Sequence, residues 1–151
     1  MVVDHLEVRT GMANISKLSN RYMWQGLCLG MLLTCVSYAV ASFDATEDRL
    51  GTLSIAILIA FCFFMLVNVV EAVVWRRVAE NSPESLPTFF TAFSGGRMLL
   101  ALATMFVYYL VVGRASMLPF FVVFMVFYVA QLVHHSIFFS RAARQLDEPQ
   151  P

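Results

Sequence analysis

The sequence predicts an all-α integral membrane protein, a four-helix bundle made of two antiparallel transmembrane hairpins with both termini cytoplasmic. Three observations predict it. Of 151 residues 60% are hydrophobic and only 13% are charged, against about a quarter charged in an ordinary soluble domain. A single core of this size cannot hide so much apolar surface, which makes a lipid solvent the economical explanation. The apolar residues also fall into four runs, each near the ~20 residues that a helix needs to cross the hydrocarbon. Finally, Lys and Arg gather on alternate connections between those runs.

Residues 1–21 are polar and mixed in charge (Asp4, His5, Glu7, Arg9, Lys17, Arg21) and read as a cytoplasmic tail, partly helical and lying near the headgroups. The first helix is expected over about 22–42. Its Ala39-Val40-Ala41 resembles a signal-peptidase site. The apolar run nevertheless exceeds the roughly 7 to 15 residues of a leader core, and a polar tail precedes it, so a retained helix is expected. Within it, Gly26-Leu27-Cys28-Leu29-Gly30 is a G-x-x-x-G, a spacing that lets another helix backbone approach closely. Ala56 and Ala60 repeat the spacing in the second span and could face it. Packing inside the chain is favoured over contact with a partner.

Phe43 to Arg49 is a short acidic connection (Asp44, Glu47, Asp48), brief enough to require antiparallel neighbours. The second helix is expected over about 50–79, with Trp75 as an interfacial anchor ahead of Arg76 and Arg77. Glu80 to Pro87 reads as a solvated loop. Ser85 as cap and Pro87 in the first turn start the third helix, about 87–112. Gly113 to Met117 turns the chain, Pro119 suits the first turn of the fourth helix, about 118–140, and 141–151 forms a cytoplasmic tail whose end, Asp147 to Pro151, is expected to be disordered.

Orientation follows from the basic residues. Arg9, Lys17 and Arg21 in the tail, Arg76, Arg77 and Arg97 around the central connection, and Arg141 and Arg144 at the end share one side; Arg49 and Arg114 alone mark the other. The formal net charge of zero implies no acidic partner. The sequence carries no strand pattern, no phosphate-binding glycine loop and no nucleic-acid motif. Cys28, Cys35 and Cys62 form no Cys-x-x-Cys and have no His at ligand spacing, so they read as small core residues, with no metal or cofactor expected. Ser, Cys and His never fall at nucleophile–base spacing, and an enzyme is not expected.

Ionisable residues within spans are costly and therefore informative. Glu71 lies four residues inside Trp75, roughly 6 Å along the helix, and Asn68 sits about one turn deeper. Arg97 enters from the same side on the third helix, His134 and His135 lie near the cytoplasmic end of the fourth, Gln131 shares their face, and Gln25 is in the same leaflet. Gln25, Asn68, Glu71, Arg97, Gln131 and one of the two histidines are therefore expected to converge at one depth. Only one histidine is expected inside, because adjacent side chains diverge by about 100°. Three readings are open: Glu71 pairs with Arg97 as a lock between hairpins, Glu71 and a histidine form an ion or proton site, or the cluster meets another membrane protein.

Leu66-Val67-Asn68-Val69-Val70 leading to Trp75-Arg76, Phe90 to Arg97 opening a helix, Leu118-Pro119-Phe120 and the late Gln131 resemble ATP synthase protein I, a small membrane protein encoded with bacterial rotary ATP synthases. The resemblance covers about Arg21 to Phe139. It implies two hairpins with cytoplasmic ends in the bacterial inner membrane and a cation one turn into the third helix, which Arg97 matches in place of Lys. That family tends to carry an acidic residue three positions earlier, where this chain has Ser94; Glu71 would supply the charge from the second helix. The function implied is that of a non-enzymatic accessory protein that helps assemble or stabilise the ring of c subunits, with a proposed link to magnesium supply. The competing expectation is a small cation transporter or channel subunit, for magnesium or protons, built on Glu71 and a histidine. The lipid bilayer is a partner in either case.

Overall fold

The computed structural model of the chain describes residues 2–44 and 47–147, with side chains described over most of 15–141. All regular structure among them is helical: α1 (Val2–Asp44), α2 (Glu47–Asn81), α3 (Leu86–Val112) and α4 (Met117–Asp147), with a 3-10 turn before α3 and another before α4. Each of the four helices contains a stretch long and apolar enough to cross a membrane, Ile15–Phe43, Arg49–Asn81, Thr88–Val112 and Met117–Phe138, an architecture that fits a multi-pass membrane protein. The surface agrees with a lipid solvent: Leu99, Leu110 and Val111 are 70%, 64% and 79% exposed, and large apolar side chains face outward on all four helices, where a water-soluble protein would carry charge.

The helix ends have local causes. At the end of α2 the Ser82 N–H closes onto the Val78 carbonyl at 2.8 Å, and Pro83, with no N–H to give, prevents continuation. Ser85 occupies the N-cap position of α3 with a proline in the first turn, yet its hydroxyl makes no capping bond. α3 stops at Gly113, whose φ of 87° is readily reached only without a Cβ; its N–H still donates to the Tyr109 carbonyl at 3.0 Å. Two boundaries differ from the sequence expectation. α1 is continuous through the polar residues 2–21, and Ile15, Leu18 and Ser19 already pack on the end of α2. α4 likewise runs to Asp147. No proline interrupts either extension, and adding a residue to an existing helix is far cheaper than nucleating a new one. Asp147, the first residue of the tail expected to be disordered, is the last of α4; residues 45 and 46 of the first connection and 148–151 of that tail lie outside the described residues.

α2 is the central helix: it touches the other three, most extensively α1 and then α4, while α3 meets α4 sparingly. Along α1 and α2 the contacts run in opposite sequence order, from Ser19 at Ala72 to Gly30 at Phe64. Two apolar clusters result. The larger joins Ala56, Ala60, Phe63 and Phe64 of α2 to Ala101 and Tyr108 of α3 and to Phe120, Phe124 and Phe127 of α4, with Tyr108 stacked on Phe120 at 3.7 Å between centroids. The smaller holds Tyr22, Ala72, Trp75, Ala79 and Phe138. Trp75 is therefore not the interfacial anchor expected at the end of the second span; it is 3% exposed and packs inward. Cys28, Cys35 and Cys62 are exposed and not core residues, because a small apolar thiol sits as comfortably against lipid as against protein.

Candidate functional site

Between the two clusters lies a polar centre. Glu71 is fully buried, and two helices supply its partners. From α1, the Tyr22 hydroxyl donates to Oε2 at 2.7 Å; from α4, His135 Nδ1 meets Oε1 in a close contact. That second contact needs one proton between imidazole and carboxylate, whichever of the two atoms carries it. His134 stacks on the Tyr22 ring, 4.9 Å between centroids and 27° between planes, and Phe90 of α3 meets His135 edge-on at 5.9 Å. The 100° step between adjacent helical residues does not send one histidine out to the interface, as the sequence suggested. It distributes them, His134 to α1 and His135 to α2 and α3.

Asn68 and Gln131 lie deeper, and both are fully buried. Asn68 packs on the bare backbone of Gly26, where a Cβ would stand 2.6 Å from its Cγ; its amide nitrogen and oxygen have no partner among the described residues. Gln131 Nε2 donates to the Phe64 carbonyl at 3.2 Å. The Gly26–Gly30 spacing is thus spent inside the chain: a Cβ on Gly30 would stand 3.2 Å from the Phe64 ring, and Ala56 and Ala60 are buried in the larger cluster.

Two expected members stand elsewhere. Gln25 is exposed and lines a groove between α1 and α4 with Arg21, His134 and Arg141, because its neighbour Gly26 takes the face toward α2. Arg97 is buried at 4% exposure, but no ion pair joins it to Glu71; its Nε and Nη1 have no acceptor among the described residues, and its guanidinium carbon lies 5.8 Å from the Tyr128 ring centre, a cation–π distance. The lock between Glu71 and Arg97 is therefore replaced by a Tyr22–Glu71–His135 cluster tying α1, α2 and α4.

Tyr22 is the member that sequence reasoning missed. A signal was present: Ser19, Tyr22, Gly26 and Gly30 recur at three- and four-residue steps, one face of a helix, and that face carries the G-x-x-x-G. Chemically the centre can hold a proton and fix three helices. Among the described residues no group of three His, Cys, Asp or Glu side chains is placed to hold a metal ion.

Among the described residues, fold and centre together define a class, all-helical with four membrane-length helices and a buried polar cluster on three of them. No family model, curated protein or solved structure matches this chain.

Proposed function

We propose that the chain is a multi-pass protein of the bacterial cytoplasmic membrane, two hairpins with both termini cytoplasmic, that acts as a non-enzymatic accessory protein. Its partners in this reading are helices of the rotary ATP synthase membrane sector, met while the c-subunit ring is assembled. The observation that carries the choice of contact over transport is the confinement of the polar groups. Beyond Gln131 the centre of the chain is filled by Phe63, Phe64, Phe120, Phe124 and Phe127, with the Tyr108 hydroxyl a lone buried polar atom beside them among the described residues, and an ion path needs polar groups across the whole membrane. The ATP synthase partner rests on the sequence resemblance over Arg21 to Phe139.

The orientation rests on the eight-to-two division of basic residues. With Cys28, Cys35 and Cys62 replaced by alanine, a cysteine at Arg114 should react with an impermeant reagent from outside, and a cysteine at Ser82 only after permeabilisation. Reversed labelling would overturn the topology.

The assembly reading predicts that deleting the protein lowers the yield or stability of the c ring while completed ATP synthase keeps nearly normal turnover, since contacts used only in assembly are absent afterward. Leu99, Leu102, Phe106 and Leu110 form an exposed stripe on α3 at helical spacing. Alanine at Leu102 and Phe106 should reproduce part of the deletion without unfolding the protein. Normal rings in the deletion strain would sink the reading.

The second reading, a cation transporter or channel subunit, is favoured by the Glu71–His135 contact, where one buried proton could exchange. It predicts ion or proton uptake into vesicles holding the purified protein, abolished by Glu71→Gln, with ring formation untouched.

A further inference from the structure

We infer that the groove between α3 and α4 is a binding site for a phosphate group, carried into it on an anionic phospholipid. The groove measures about 670 Å³ and is lined by Arg97, Ser94, His135, Ser136 and Ser140, with Phe90, Leu132, Val133 and Ile137 as apolar walls. Two independent features point to an anion. Arg97 is nine-tenths buried or more, with Nε and Nη1 lacking any acceptor among the described residues, and buried charged donors left without acceptors are costly. The lining contains a guanidinium, an imidazole and three hydroxyls but no carboxylate.

The carboxylate that could have compensated Arg97 is engaged elsewhere. Glu71 takes the Tyr22 hydroxyl on one oxygen and His135 on the other. Acceptors for Nε and Nη1 therefore come from a ligand in the groove. Guanidinium presents planar paired donors that match phosphate oxygens, and the Ser94 and Ser136 hydroxyls can donate to the remaining ones, whereas Ser140 already donates to the Ile137 carbonyl at 3.2 Å. The apolar walls suit the glycerol and first methylenes of a lipid, and basic pockets between membrane helices near one surface are a recurring way of holding anionic headgroups. The guanidinium carbon over the Tyr128 ring holds the fork in place before any ligand arrives. Lipid held in this groove does not depend on which membrane protein the chain meets.

The test uses the purified full-length protein in a neutral detergent, with phosphatidylglycerol, phosphatidylcholine or inorganic phosphate added, read by native mass spectrometry for retained lipid and by thermal unfolding. Phosphatidylglycerol should be retained and raise the melting temperature, and phosphatidylcholine should do neither. Arg97→Gln should lower phosphatidylglycerol retention about tenfold or more, the loss expected for removing a charge-assisted hydrogen bond. Because that variant also alters a buried position, Ser94→Glu provides a second arm. Ser94 is exposed, lines the groove and stands three residues before Arg97, so a glutamate there reaches the guanidinium from the same helix face. It should abolish lipid retention while leaving the lipid-free melting temperature equal or higher. Stabilisation by inorganic phosphate that Ser94→Glu removes would support the same site with free phosphate as its source. Equal retention of the two lipids with no phosphate effect, or phosphatidylglycerol retention untouched by Ser94→Glu, would overturn the proposal.

Discussion

Gly26→Leu is expected to unseat α1 from α2, the largest loss from any single substitution on α1. Even alanine is too large at this position. Its Cβ would stand 2.6 Å from Asn68 Cγ and closer still to both amide heteroatoms, and Asn68 is fully buried, so its amide has to turn within a closed interior. Overpacking of this kind costs about 1 to 3 kcal/mol, which matches or exceeds the ~1 kcal/mol that alanine recovers over glycine in helix propensity. Gly30→Ala should be milder, because its neighbours are the Phe64 and Phe61 rings at 3.2 and 3.3 Å, which can yield by a few tenths of an ångström. Thermal unfolding of the purified variants in detergent checks the order, with Gly26 the more sensitive. The double variant Gly26→Ala with Asn68→Ala should recover most of the loss, since it removes the amide that the new methyl strikes. Gly26→Ala melting like the parent protein would show that α1 and α2 do not approach this closely. Leucine at Gly26 and Gly30 is consequently no probe of partner contacts, because it breaks the protein before it reaches a partner.

Spans were legible because lipid imposes length and the chain is punctuated by breakers. Pro83, Gly113 and Pro119 mark ends that follow from a missing N–H or a positive φ, and these are local properties. The extensions of α1 back to Val2 and of α4 to Asp147 carry no such mark. Facing was less legible. In a water-soluble protein, hydrophobicity separates inside from outside; in lipid, Leu99 at 70% exposure and Phe64 at 0% satisfy the solvent equally well. For that reason hydrophobicity alone misplaces the cysteines and Trp75 radially.

The polar centre divides in the same way. Depth follows from the 1.5 Å rise per residue, so Asn68, Glu71, Gln131 and the histidines could be grouped from sequence spacing. Partners depend on rotation about each helix, and the informative marker of rotation in an apolar span is a run of small residues. Gly26 and Gly30 fix the face of α1, and with it Tyr22 inward and Gln25 outward. Opposite charge suggested Glu71 with Arg97, but Tyr22 and His135 reach the carboxylate first. A tyrosine at the start of a span reads as an interface residue, which concealed its part in the centre.

Double-mutant cycles on Glu71 are expected to find coupling to Tyr22 and to His135, and a smaller coupling to Arg97. Removing the carboxylate strands a buried hydroxyl and an imidazole together, a change that costs about 3 to 5 kcal/mol in a water-soluble interior. Within a membrane the figure should fall to about 1 to 2 kcal/mol, because separated helices find other partners for their polar groups. Glu71→Ala and His135→Ala should therefore each destabilise the folded protein, and the double variant should lose much less than their sum, as contacting groups do. Tyr22→Phe with Glu71→Gln should show the same sign, because Oε2 receives the phenol directly. Glu71→Gln with Arg97→Gln should come closer to additive, since no ion pair joins them. Unfolding in mixed detergent, followed by loss of helix signal, measures all three cycles on one scale. A coupling between Glu71 and Arg97 larger than that between Glu71 and His135 would restore the lock between α2 and α3 and remove the Tyr22–Glu71–His135 cluster as the organising contact.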